Sequence, residues 1–226
     1  MRVRVVQPPV VLACICVSRS PYRLDITLFD QTNFGFPRLA QFISYTPKLG
    51  ELDEAQLLFC NLIASINFRS RTSECSFSCR ELERPISFIK KICDSSLHPL
   101  SKVEDLYIEY RSSTRHRGNL AIETTMWLEL LLSFTAVENL YLFERFAPSI
   151  ATALQELVGT RITEVLPNLQ NILVEGLESS GPFQENIGQF VAARQLKKNP
   201  IAISDWDKYF ILATWRACCC STRLAS

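Results

Sequence analysis

A nine-residue pattern recurs three times in this chain and limits what it can fold into more than any other feature. The pattern is apolar at its first, fourth, seventh and ninth positions. Its copies begin at Leu100, Phe134 and Leu166, so successive copies start 34 and 32 residues apart. At the end of each copy, apolar core positions alternate with other residues, as they do in a strand that is buried on one face. A weaker copy lies at 47–52, and short strand-like runs lie at 24–29 and 64–68.

Helical patterns lie between these strands. Thr124 or Thr125 can cap a helix that continues to Leu132, and Pro148 and Pro182 each suit the first turn of a further helix. Apolar residues follow each start at helical spacing. They are Trp127, Leu130, Leu131 and Phe134 in the first helix, Ile150, Leu154, Leu157 and Val158 in the second, and Ile187, Phe190, Val191 and Leu196 in the third, while residues 86–92 form a shorter helix.

Repeated strand–connector–helix units would stack into a curved solenoid, because each unit buries its apolar side only against its neighbours. The predicted fold class is therefore α/β, a curved solenoid of strand–helix units. We expect one such domain over residues 20–208, an irregular segment at 1–19 and a tail at 209–226. The length of 226 residues allows one large domain or two small ones, and 47% hydrophobic residues is a globular composition.

The repeats also predict which side chains face a partner. Strand residues between the core positions should point out of the concave side of the sheet, in three columns. Aromatic residues flanked by acids and amides are typical of protein-binding surfaces, although such residues could instead contact one another along the sheet. Both interpretations stay open. The columns are Asp105, Asn139 and Asn171; Tyr107, Tyr141 and Leu173; and Glu109, Phe143 and Glu175.

The charge distribution favours a basic protein partner over a nucleic acid. The whole chain has 24 Lys and Arg against 23 Asp and Glu, a formal charge of +1, which removes the simplest case for a nucleic-acid binder. Residues 119–193 contain nine Glu, no Asp and two Arg, a formal charge of −7. We expect this half to repel phosphate backbones and to attract a basic surface.

The chain also resembles a known family through the order of eight short motifs. The motifs start at Arg23, Gln41, Val103, Trp127, Phe134, Ala153, Glu164 and Gln189 and read RLDITL, QFISYTPKL, VEDLYI, WLELL, FTAVENLYL, ALQELVG, EVLPNLQNI and QFVAARQL. Together they resemble the leucine-rich-repeat half of the F-box-like proteins that are expanded in mushroom-forming fungi. The likeness covers roughly residues 20–208, and it implies a leucine-rich-repeat-like version of the solenoid.

The resemblance implies substrate recognition by a cullin-RING ubiquitin ligase, in which repeats hold the target and an F-box recruits the adaptor. An F-box would precede the repeats, and we expect none before Ser20. The predicted function is a protein–protein interaction module, the substrate-recognition repeats of an F-box-type receptor. The alternatives are a stand-alone binding or degenerate structural repeat protein with no ligase role, and an enzyme that the sequence does not announce.

We expect no catalytic residue, cofactor or metal. Cys75, Cys79, Cys93 and His98 have spacings near those of structural zinc ligands, but the residues between them are typical of a core. The resemblance places Cys79 and Cys93 at packing positions, where cysteine acts as a small hydrophobe. His116, the other histidine, lies in a basic stretch that is typical of an exposed loop. The sequence contains neither a Walker nor a dinucleotide fingerprint.

The two ends of the chain leave alternatives open. Residues 1–18 could pass for a signal peptide, although Gln7-Pro8-Pro9 interrupts the apolar run, and a partly buried strand is the alternative. The cysteines at 218–220 could be palmitoylated or belong to a frayed tail. No apolar run reaches the roughly 20 residues that a membrane span needs. The cysteine spacing is unlike a disulfide framework, so we expect an intracellular protein, cytoplasmic or nuclear, with reduced thiols.

Overall fold

In the described part of the chain, ten strands form one sheet. The structure, a computed structural model, describes residues 2–5, 13–19, 22–28, 53–60, 63–70, 73–80, 85–94, 100–110, 122–159, 161–177 and 180–206, with the backbone alone for the first three ranges and for Arg80. The strands are β1 (Arg2–Val5), β2 (Ala13–Arg19), β3 (Tyr22–Leu28), β4 (Glu54–Cys60), β5 (Ile63–Arg69), β6 (Ser73–Arg80), β7 (Asp105–Tyr110), β8 (Asn139–Leu142), β9 (Asn171–Glu175) and β10 (Ala202–Trp206). The helices are α1 (Pro85–Asp94), α2 (Thr124–Leu131), α3 (Ala147–Gln155) and α4 (Pro182–Leu196).

The sheet is mixed, and over the described residues it does not close into a barrel. Its strand order is β1-β2-β3-β6-β5-β4-β7-β8-β9-β10. Strands β4, β7, β8, β9 and β10 are neighbours that pair in parallel. Strands β4, β5 and β6 form an antiparallel meander, and β6 then pairs in parallel with β3. The mixed α/β class is therefore confirmed, whereas the solenoid of repeats stays a prediction.

The three copies of the sequence pattern form the neighbouring strands β7, β8 and β9 in equal register. Asp105 pairs with Asn139, and Asn139 pairs with Asn171. The junctions between the strands also repeat. The backbone N–H groups of Glu138 and Asn139 donate to the carbonyl of Glu104, and those of Gln170 and Asn171 donate to the carbonyl of Glu138. Nearly equal sequence spacing thus becomes equal hydrogen bonding at the beginnings of these strands.

The meander is the part of the sheet that the repeat pattern does not predict. Strand β5 covers the strand-like run at 64–68, and β3 covers most of the run at 24–29. In a stack of strand–helix units β3 would lie beside β4, but β6 and β5 stand between them. The weaker copy expected at 47–52 lies outside the described residues. Strands β1 and β2 lie within residues 1–19, for which the sequence predicts an irregular segment.

The helices lie where the sequence predicts them, with two differences at their ends. Pro148 and Pro182 stand in the first turns of α3 and α4. Glu123 rather than a threonine precedes α2, and it makes no side-chain capping hydrogen bond. Val158 and Leu196 were expected on apolar faces but are 43% and 86% exposed. Val158 lies beyond the end of α3 at Gln155, and Leu196 is the last residue of α4.

The hydrophobic core lies between the helices and one face of the sheet. Alternate strand residues such as Leu106, Leu140 and Ile172 are fully buried and belong to one cluster with the apolar residues of the helices. At the centre of the core, a group of aromatic side chains joins the meander to the helices. The ring of Phe59 on β4 lies edge-on to Trp127 of α2 at 5.9 Å and to Phe146 at 5.2 Å. Such pairs add to the stabilisation that burial already gives.

No helix in the described part of the chain is long and apolar enough to cross a membrane.

Candidate functional site

The side of the sheet opposite the helices carries the residues that the sequence predicts for a partner. Because Leu106 and Ile108 of β7 are buried against the helices, their neighbours Asp105, Tyr107 and Glu109 lie on the other side. The same alternation in β8 and β9 places Asn139, Tyr141, Asn171, Leu173 and Glu175 there, and the ring of Phe143 joins them just after β8. We call this side of strands β4 to β10 the open face. The structure therefore brings the nine residues together, and their binding role stays a prediction.

The first column is a hydrogen-bonded ladder of half-buried side chains. Asn139 Nδ2 donates to Asp105 Oδ1 at 2.8 Å, and Asn171 Nδ2 donates to Asn139 Oδ1 at 2.7 Å. Burial raises the pKa of Asp105, although the bond from Asn139 acts in the opposite direction. Because each amide is held by its neighbour, the ladder presents a fixed row of polar groups to solvent.

The second column is mostly aromatic and extends to Trp206, which the sequence pattern does not predict. The rings of Tyr107 and Tyr141 stack at 4.1 Å. Trp206 of β10 lies edge-on to Tyr141 at 5.4 Å and to Phe143 at 5.3 Å. Tyr107 and Phe143 are only 8% and 6% exposed, while Tyr141, Leu173 and Trp206 are half-buried. The buried rings support the accessible ones.

The third column does not form one accessible row. Glu109 is 2% exposed and accepts a hydrogen bond from Gln56 Nε2 at 2.7 Å. It ends a relay of side chains across the meander, in which Ser76 donates to Asn67 and Asn67 donates to Gln56. Glu175 is half-buried. Glu109 is therefore held by a contact within the sheet and is not exposed to a partner.

An acidic pair marks the junction between the meander and the parallel strands. Glu54 of β4 pairs in register with Asp105 of β7. Burial raises the pKa of Glu54 to about 7, while the nearby Arg69 acts to lower it. One carboxylate oxygen of Glu54 is buried and makes no hydrogen bond within the described residues. Pattern reasoning missed Glu54 because its acidic neighbour is far away in sequence.

The cysteines of the possible zinc motif lie in the core. Cys75 and Cys79 of β6 and Cys93 of α1 are buried on the helix side. Burial raises the pKa of the Cys93 thiol, which favours the uncharged form. Over the residues that the structure describes, no three His, Cys, Asp or Glu side chains are placed to hold a metal ion. His98, His116 and the cysteines at 218–220 lie outside those residues.

Comparison with protein-family models, with curated proteins and with solved structures finds no match to this chain. The resemblance to F-box-like repeat proteins therefore rests on the quoted motifs and stays a prediction.

Proposed function

We propose that the protein is a protein–protein interaction module whose binding surface is the open face over strands β7 to β10. The observation that carries the proposal is the row of half-buried Tyr141, Leu173 and Trp206 beside the amide ladder. Large rings and an aliphatic side chain offer contact area, and fixed amides offer hydrogen bonds with little loss of side-chain freedom.

Charge supports a basic partner. The charged side chains that the structure describes on the open face are Glu54, Glu74, Asp105, Glu109, Glu175 and Arg69; Glu54 is only partly ionised near pH 7, and the four other acids outnumber the one base. A partner segment with lysine or arginine would be attracted to this face and would bind less tightly as salt increases. Acidic segments would be repelled.

A selection of random peptides tests the proposal. We expect peptides selected on the purified protein to be rich in lysine and arginine. The variant Glu175→Lys reverses a charge on the open face and should weaken their binding by about tenfold, which corresponds to about 1.4 kcal/mol. Fluorescence anisotropy with a labelled selected peptide measures the change.

The matched control is Glu185→Lys, the same charge change at an exposed position of α4 on the helix side. It should leave peptide affinity nearly unchanged. Equal losses in the two variants would mean that net charge, and not the open face, determines binding. Selected peptides without basic residues would contradict the proposed partner chemistry.

A more specific form of the proposal is the substrate-recognition part of an F-box-type ubiquitin-ligase receptor. Its support is the family resemblance together with the in-register repeats of β7, β8 and β9. Sequencing the native transcript upstream of the Met1 codon tests it. An in-frame F-box supports the ligase role. A stop codon with no F-box would remove adaptor recruitment and leave a stand-alone binding module.

A further inference from the structure

A pocket of about 690 Å³ lies at the edge of the sheet where β9 and β10 begin, outside the aromatic row. It is formed by the turn before β9 and by the turn that joins α4 to β10. The volume is within the usual range for small-molecule sites. Its polar lining consists of amides and cations: Asn168, Gln170, Asn171, Arg194, Lys198 and Asn199.

Arg194 is an unusual member of this wall because it is fully buried and has no acidic partner. Its guanidinium donates to the backbone carbonyls of Ile162, Leu166, Pro167 and Leu169 at 3.1 to 3.4 Å. Its Nε makes no hydrogen bond, and no carboxylate pairs with it in the described part of the chain. Carbonyl groups orient the cation without neutralising it, so a positive charge remains behind the pocket wall.

Lys198 provides a second cation at the pocket surface. It is exposed, and within the described residues its ammonium group makes no ion pair. Its backbone has φ 63°, a left-handed conformation that is costly for a residue with a Cβ. The side-chain amides of Gln170 and Asn199 likewise make no hydrogen bond with other described residues, so they are available as donors.

The row of acidic residues that precede the parallel strands ends at this pocket. The residue before the strand is Asp53, Glu104 and Glu138 for β4, β7 and β8, but Gln170 for β9 and Ile201 for β10. No carboxylate lines the pocket among the described residues. An anion that enters it therefore meets neutral amides and the cations Arg194 and Lys198, which follow directly after the acidic segment 119–193.

We propose that this pocket binds the oxyanion group, phosphate or carboxylate, of a small molecule. The ammonium of Lys198 and the amides of Gln170 and Asn199 are the direct donors. Arg194 acts from behind the wall through its unpaired charge. This site lies apart from the aromatic row, so it does not depend on the proposed protein-binding function.

Titrations of the whole protein with inorganic phosphate and with acetate, at constant ionic strength, test the proposal. We expect saturable shifts in the backbone amide NMR signals of Gln170, Lys198 and Asn199. Saturation with phosphate alone identifies a phosphoryl ligand, and tighter binding of acetate identifies a carboxylate. Shifts that grow linearly with both anions would overturn the proposal.

The variant Lys198→Gly removes the ammonium group and suits the left-handed backbone, so it should fold at least as well as the natural protein. We expect it to weaken anion binding by about tenfold, the loss of one charge-assisted hydrogen bond. Its control is Lys197→Gly, the neighbouring exposed lysine, which does not line the pocket. Equal affinity in the two variants would overturn the role of Lys198 and with it the proposed site.

Discussion

The two halves of the sheet use polar side chains in different ways. In the parallel half, the ladder of Asp105, Asn139 and Asn171 joins residues at the same position of successive units. In the meander, the relay joins the register partners Ser76, Asn67 and Gln56, whose residue types differ from strand to strand, and then passes diagonally to Glu109 of β7. The ladder is half-buried throughout, whereas in the relay Gln56 and Glu109 are buried and only Ser76 and Asn67 are half-buried. The first therefore leaves groups accessible to a partner, while the second mainly holds strands together.

The variant with the largest expected effect tests whether the meander and the parallel half unfold as one unit. Phe59 lies on the meander strand β4, yet its ring contacts Trp127 of α2 and Phe146 beside α3. We expect Phe59→Ala to lower the free energy of unfolding by about 3–5 kcal/mol, because it opens a cavity at this junction. Urea denaturation followed by circular dichroism measures the loss.

The control for Phe59→Ala is Leu58→Ala, which removes a half-buried neighbour on the open face. It should cost about 1 kcal/mol, since less apolar surface is lost. We expect one cooperative transition in both variants. Two separate transitions in Phe59→Ala would show that the meander and the parallel half are independent units.

A second pair of variants compares the relay with the ladder directly. Gln56→Leu removes one hydrogen bond to Glu109 and one from Asn67 in a buried setting, so we expect a loss of about 2–3 kcal/mol. Asn139→Leu also removes two hydrogen bonds, but water can reach the half-buried ladder, so we expect about 1 kcal/mol. Chemical denaturation at pH 7 gives both values. A greater loss in Asn139→Leu would contradict the contrast between the halves.

The parallel half could be predicted from the sequence because its contacts repeat. Residues 34 and 32 apart occupy equal places in β7, β8 and β9, so the pattern indicated both the strands and the columns. The prediction of exposure was less successful. Tyr107 and Phe143 pack against Trp206, and Glu109 bonds to Gln56; both partners belong to strands without the repeat pattern, although Tyr107 also stacks on Tyr141 of β8.

The meander could not be predicted in the same way. In β4, Leu58 on the open face interrupts the alternation of Ala55, Leu57 and Phe59. In β6, Cys75 and Cys79 alternate with serine, and their spacing also suggested metal ligation. The bond between Gln56 and Glu109 spans 53 residues. Local periodicity carries no information about such a pair, because the two residues are neighbours only in the folded sheet.

The smallest expected effect concerns the junction where the two halves meet. Burial raises the pKa of Glu54 to about 7, above its ordinary value of 4.5. Between these values the folded protein binds more protons than the unfolded chain, so the free energy of unfolding should fall as pH rises from 5 to 7 and level off above it. The expected change is about 1 kcal/mol, because water around this half-buried group screens part of the effect.

Glu54→Gln should remove this pH-dependent loss, because an amide stays neutral where the buried carboxyl becomes charged. Urea denaturation at pH 5, 6, 7 and 8 measures the slope for both proteins. The control is Glu104→Gln, an exposed acid that precedes β7 on the same edge, and it should retain the slope of the natural protein. If Glu54→Gln kept the full slope, a group other than Glu54 would cause the pH dependence. Asp105 on the parallel side would then be the next residue to replace, because burial also raises its pKa.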